Sequence, residues 1–187
     1  MIARTMAIFA ALVAATSAAA LEVEGVRLPD KASVGGQELA LNGAGTRKRA
    51  IFKVYVGSLY LPAKARSPQE VLAKAPRRIQ LNLLRNLSAD QLIGALTDGL
   101  KQNTTPAELS AITVQTGELA AIMKSFGEAK EGSVVTLDYV DGATTVGLDG
   151  TVRGSIDGAA FNDALTKIWI GEHPAQDDLK KAMLGGA

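Results

Sequence analysis

Gly43-Ala44-Gly45-Thr46-Arg47, followed by Ala50-Ile51-Phe52-Lys53-Val54-Tyr55-Val56-Gly57-Ser58-Leu59-Tyr60-Leu61, decides how this chain is organised. Two glycines around one small residue read as a tight turn, because glycine reaches backbone conformations closed to other residues. Residues 50–61 are rich in Val, Ile, Phe and Tyr, which suit a pleated strand. Their alternation puts Ile51, Lys53, Tyr55 and Leu59 on one face, and Phe52, Val54, Val56 and Tyr60 on the other. On that parity Arg47 and Tyr55 share a sheet face.

Before the turn, 21–28 and 37–41 read as two short strands separated by Pro29-Asp30-Lys31 and Gly35-Gly36. After the long strand come three helix starts with a capping box, in which a Ser or Thr accepts from the third amide while Glu or Gln reaches back. They are Ser67-Pro68-Gln69-Glu70, Ser88-Ala89-Asp90-Gln91 and Thr105-Pro106-Ala107-Glu108. The second helix lines up Leu92, Leu96 and Leu100, and the third lines up Leu109, Ile112, Leu119, Ile122 and Phe126, each an apolar face for a sheet. Between the first two helices, 78–84 alternates as a strand. Downstream, 133–140 and 144–148 form a hairpin around Asp141-Gly142-Ala143, 151–156 is a further strand, and 158–170 and 176–184 are helices. Strands at both ends with helices between them give an α+β domain, an antiparallel sheet covered by a layer of helices. No repeat or linker divides 21–187, which reads as one domain.

Residues 1–20 combine Arg4, an apolar stretch and Ser17-Ala18-Ala19-Ala20, the layout of an export signal cleaved after Ala20. The protein is therefore expected to be periplasmic or secreted, with no membrane span after signal removal, the alternative being that 1–20 stays on as an N-terminal anchor helix. The chain holds 20 Lys plus Arg and 19 Asp plus Glu, and Arg4 is the one charge in the signal, so the remainder is balanced. That balance argues against a nucleic-acid partner, and Arg77-Arg78 and Lys180-Lys181 read as solvated ends of elements. With no cysteine, disulfides and thiolate sites are excluded. One histidine, His173, in a Gly-Glu-His-Pro turn, reads as structural, and no transition-metal site or cofactor is expected. Gly35-Gly36 and Gly43-Ala44-Gly45 lack the strand-loop-helix setting of a nucleotide loop.

The Gly43-Ala44-Gly45-Thr46-Arg47 motif, the strand after it and Trp169-Ile170-Gly171-Glu172-His173 together resemble the chalcone-isomerase superfamily, which implies an open-faced β-sandwich. In its catalytic members an Arg in the glycine turn steers a phenolate, a strand Thr and a helix-start Tyr set a water against the ketone, and an Asn and a Thr bind a ring hydroxyl. Arg47 matches the first. Tyr55, Leu92, Gly99 and Ile168 stand at the other positions, and no tyrosine lies between Arg77 and Val135. Losing one preorganised donor costs on the order of a hundredfold in rate, so the resemblance implies the fold without the chemistry.

What remains is a guanidinium and a phenol, a pair suited to a carboxylate. Fatty-acid-binding members of the superfamily use an Arg and a Tyr at similar positions. The expected site is Arg47 and Tyr55, with Lys53 alongside and a lining of Ile51, Leu92, Leu96, Ile112 and Ile168, for a fatty acid or similar amphipathic carboxylate. Two other classes stay open: an intramolecular lyase or isomerase using Arg47 and Tyr55, and a structural envelope partner. In the plainest alternative Arg47 pairs with Glu38 or Asp138, and the Tyr55 hydroxyl bonds to backbone.

Overall fold

The computed structural model describes residues 20–186; the export signal expected over 1–20 lies outside the described residues apart from Ala20. A small hairpin, β1 (Leu21–Val23) and β2 (Val26–Leu28), precedes β3 (Lys31–Val34), β4 (Gln37–Arg49) and β5 (Phe52–Leu61). Then come α1 (Pro68–Leu72), β6 (Arg77–Leu83), β7 (Leu87–Ser88), α2 (Ala89–Asn103), α3 (Pro106–Ala111), α4 (Thr113–Lys124) and β8 (Glu128–Ala129). The chain closes with β9 (Val134–Val140), β10 (Ala143–Leu148), β11 (Thr151–Asp157), α5 (Ala159–Ile170) and α6 (Asp177–Met183).

Seven strands form one antiparallel sheet in the order β11-β10-β9-β6-β5-β4-β3. Asp141-Gly142 and Asp149-Gly150 turn the β9–β10–β11 meander, all four with positive φ, the geometry that matches a two-residue turn to strand twist. One face carries the main core, where α2, α4, α5 and α6 lie on the sheet around Trp169, Phe161, Leu100 and Met123. The opposite face has a smaller core of Leu28, Leu39, Val56 and Tyr60 beside the β1–β2 hairpin. This is the α+β, helix-covered antiparallel sheet expected.

Several local expectations are corrected. Gly43-Ala44-Gly45 is not a turn: it lies inside the 13-residue strand β4, and the reversal falls at Ala50-Ile51, with Ala50 at φ 52. Its glycines serve close packing, as shown below. The Ser88 and Thr105 capping boxes are reciprocal, whereas at Ser67 the Glu70 carboxylate accepts from the Arg66 amide instead. The third helix breaks at Ile112 (φ −108, ψ 15), where Ile112, Thr113 and Val114 form a β-branched run poor at holding a helix, and Val114 faces solvent. Arg77 is not a solvated end but is 2% exposed, and Arg78 makes a two-pronged bond to Asp138 at 2.6 Å on each oxygen.

β4 also carries a bulge at Asn42, because Leu41 opposes Tyr60 and Gly43 opposes Leu59. The extra side chain is buried and bridges two distant segments. It donates to Ala65 O at 2.9 Å and Met183 O at 2.7 Å, and accepts from the Ala65 amide at 2.8 Å. The end of α6 is thereby tied to the sheet.

Candidate functional site

Arg47 and Tyr55 are direct register partners across β4 and β5, on the helix-covered face. Along that face the next pairs are Gly45 with Gly57 and Gly43 with Leu59. The glycines clear a trough in which α6 lies against the backbone. A Cβ on Gly43 would stand 2.0 Å from Ala182 O, and one on Gly45 would stand 2.8 Å from Ala182 Cβ. The start of α6 is thus delivered to Arg47. The side-chain oxygen of Gln176 accepts from the Lys48 amide at 2.8 Å and from Arg47 Nη1 at 3.4 Å, while its amide nitrogen donates to Thr46 O at 3.3 Å. Arg47 Nη1 also donates to Lys48 O.

From α5, the buried Trp169 donates its indole N–H to the Tyr55 hydroxyl at 3.0 Å. The Tyr55 hydroxyl is therefore satisfied by a side chain, not by backbone. Neither proposed carboxylate partner reaches Arg47, since Glu38 pairs with Lys31 and Asp138 with Arg78. Among the described residues no carboxylate pairs with Arg47.

Burial of its hydroxyl pushes the Tyr55 pKa above the ordinary phenol value, an effect that the Trp169 donation and the nearby Arg47 charge pull back. A raised pKa gives stability that is complete below the unfolded phenol's value of about 10 and is lost as pH climbs through the folded value. Arg47→Ala should move Tyr55 ionisation higher still. Alkaline titration of tyrosinate absorbance, with Tyr55→Phe subtracted, checks this; an unchanged value in Arg47→Ala would mean that the two groups do not interact.

Lys53 does not join the pair. Arg47 opposes Tyr55 but Lys48 opposes Lys53, so Val54 is an extra residue and the parity flips there. Lys53 emerges with Lys48 and Thr46 on the other face, and its ammonium binds Glu24, which also accepts from Thr46. Ile51 is likewise away from the pair, at the hairpin tip and 89% exposed. Leu92, Leu96, Ile112 and Ile168 do lie between sheet and helices, in one cluster, each 3–6% exposed.

Two surface grooves stand out, and neither reaches Arg47. One of about 440 Å³ lies on the open sheet face between Arg78, Thr136, Thr145 and Asp149. The other, of about 420 Å³, lies between the ends of α2 and α5. In the latter Asn103 clamps the Gly171-Glu172-His173 turn, donating to His173 O at 2.7 Å and accepting from the His173 amide at 3.1 Å. Among the described residues no three or more His, Cys, Asp or Glu side chains gather around a common point for a metal ion. No described helix is long and apolar enough to cross a membrane.

Residues 20–185 match the sequence model of a family described as chalcone isomerase-like. The chain belongs to the chalcone isomerase-like family. A crystal structure of a fatty-acid binding protein of Arabidopsis thaliana is similar in fold, with a TM-score of 0.65 over 86% of this chain and 92% of that one, at 16% identity. Among curated protein sequences none matches.

In this chalcone isomerase-like protein two positions assigned by resemblance to ring-hydroxyl recognition are apolar and in contact. A Cβ on Gly99 would come within 2.7 Å of Ile168 Cγ2, so α2 and α5 close on each other where an Asn and a Thr would stand. Trp169 and Gln176 are the site residues that the sequence reading did not assign. Both lie in the conspicuous 169–180 stretch, yet only the fold shows that the indole reaches Tyr55 and the amide reaches Arg47.

Proposed function

We propose that this chalcone isomerase-like protein binds a fatty acid or a similar amphipathic carboxylate and does not transform it. One observation carries the reading: a guanidinium that pairs with no carboxylate among the described residues faces a half-buried phenol across two strands. Arg47 supplies charge-assisted donors and Tyr55 a hydroxyl, a set complementary to a carboxylate. The similarly folded Arabidopsis protein, a fatty-acid binding protein, supports the ligand class. The apolar contact of Gly99 with Ile168, together with Leu92 at the position of the helix-start tyrosine, speaks against isomerase chemistry, because positions that carry polar groups in catalytic members are apolar here.

The acyl tail would enter the layer of Leu92, Leu96, Ile112 and Ile168. That layer is packed shut, so uptake would part the helices from the sheet and bound ligand would raise the melting temperature. Export to the periplasm or outside the cell, carried by residues 1–20, belongs to the same proposal.

Trp169 is the single tryptophan and bonds to Tyr55, so its fluorescence is a built-in reporter. Titration with a long-chain fatty acid should give a saturable change. Arg47→Ala should weaken it about ten- to a hundredfold, the worth of a hydrogen bond to a charged group. Equal affinity in the variant, or turnover of a chalcone by the wild type, would overturn the reading.

A further inference from the structure

Arg47-Lys48-Arg49-Ala50-Ile51-Phe52-Lys53 sets four cations around two large apolar residues with no acid among them, in a chain whose charges nearly cancel. The β4–β5 turn presents this stretch to solvent: Ile51 is 89% and Phe52 54% exposed. Arg85, beyond β6, adds a fifth cation at the same end, its guanidinium carbon 4.9 Å from the Phe52 ring centroid. Lys53 is taken up by Glu24, and in the turn beside Arg85, where the Glu131 amide donates to Asn86, Lys130 and Glu131 carry opposite charges. Lys48, Arg49 and Arg85 are exposed and, among the described residues, pair with no acid.

A lone exposed isoleucine needs no explanation. An Ile-Phe apex ringed by three exposed cations has the make-up of an interfacial anchor, in which apolar side chains enter the acyl boundary while cations meet phosphates. We propose that the β4–β5 hairpin tip docks this protein on the surface of an anionic lipid bilayer. Cations alone would suit any polyanion; the outward Ile51 and Phe52 add affinity only for a partner with an apolar interior, which selects a bilayer over a nucleic acid.

The test is co-sedimentation of the protein, purified as its host exports it, with phosphatidylcholine vesicles that contain or lack phosphatidylglycerol. Binding should require the anionic lipid. Ile51→Asp should weaken it about tenfold or more, as loss of a buried aliphatic side chain implies. Lys48→Glu with Arg49→Glu should weaken it by at least about 25-fold, at about fivefold per cation. Both changes lie on exposed side chains, so unchanged melting temperatures confirm the fold. Absence of binding, equal binding to neutral vesicles, or Ile51→Asp bound as tightly as wild type each overturns the proposal. Fatty-acid titration without vesicles reads Arg47 separately, so either reading can fail alone.

Discussion

Gly43→Val should unfold at a markedly lower temperature than the wild type, with a loss of about 3 kcal/mol, the upper range for overpacking. In an ordinary strand interior the same change would help, because glycine there costs roughly 0.5–1 kcal/mol in backbone entropy and packs nothing. Here the sign reverses. The new Cβ would sit 2.0 Å from Ala182 O and 3.1 Å from Gly185 N, and backbone atoms cannot swing aside as a flexible side chain can. α6 would have to lift, breaking the Asn42 bond to Met183 O and withdrawing Gln176 from Arg47, so ligand uptake should fall with stability. Gly94→Ala is the matched control: its site has nothing within 4 Å, so helix propensity should make that change stabilising by up to about 1 kcal/mol. Thermal unfolding of both variants checks the pair, and a neutral Gly43→Val would mean that α6 is not held where the structure places it.

Arg77→Leu should cost a similar amount, about 3 kcal/mol, the low end for removing one partner of a buried ion pair. The Arg77 guanidinium donates to Asn162 Oδ1 at 2.8 Å, Leu72 O at 3.1 Å and Lys74 O at 3.0 Å, pairs with Asp163, and lies 4.5 Å from the Tyr139 ring centroid. Burial lowers its pKa, and the Asp163 charge works against that shift. Leucine keeps the bulk but leaves the two carbonyls without these donors. Because Asp163 is 41% exposed, water takes over part of its solvation, which keeps the cost from rising further. At about 2–4 °C per kcal/mol for a chain of this size, the melting temperature should drop by roughly 6–12 °C. A drop within a degree of wild type would mean that the buried network contributes little.

The antiparallel sheet under helices was legible because each element carries its own local signal. The Ser88 and Thr105 boxes, the period of Leu92, Leu96 and Leu100, and the Asp141-Gly142 turn depend on neighbours a few residues away. That Arg47 and Tyr55 share a sheet face was expected from alternation along one strand, whereas the structure sets them on two strands, as cross-strand partners on either side of the Ala50-Ile51 reversal. What sequence could not reveal depends on cross-strand register or on partners distant in the chain. Val54 is a bulge only because of its register with β4, and that one extra residue carries Lys53 to the other face. Gly43 and Gly45 look like a turn until α6, more than 130 residues later, lies down on them. Arg77 reads as a solvated cation until Asn162 and Asp163 from α5 enclose it. Trp169 stood in the most conspicuous stretch of the chain, and nothing local says that its indole N–H ends at Tyr55.

The carboxylate site at Arg47 and Tyr55 is most directly tested by native mass spectrometry of the protein purified from its own host, wild type beside Arg47→Ala. The wild type is expected to retain a fatty acid or similar carboxylate, and the variant, with a nearly unchanged melting temperature, to arrive bare. A wild type that carries no carboxylate and ignores added fatty acid, or a variant that retains the same ligand, would contradict that expectation.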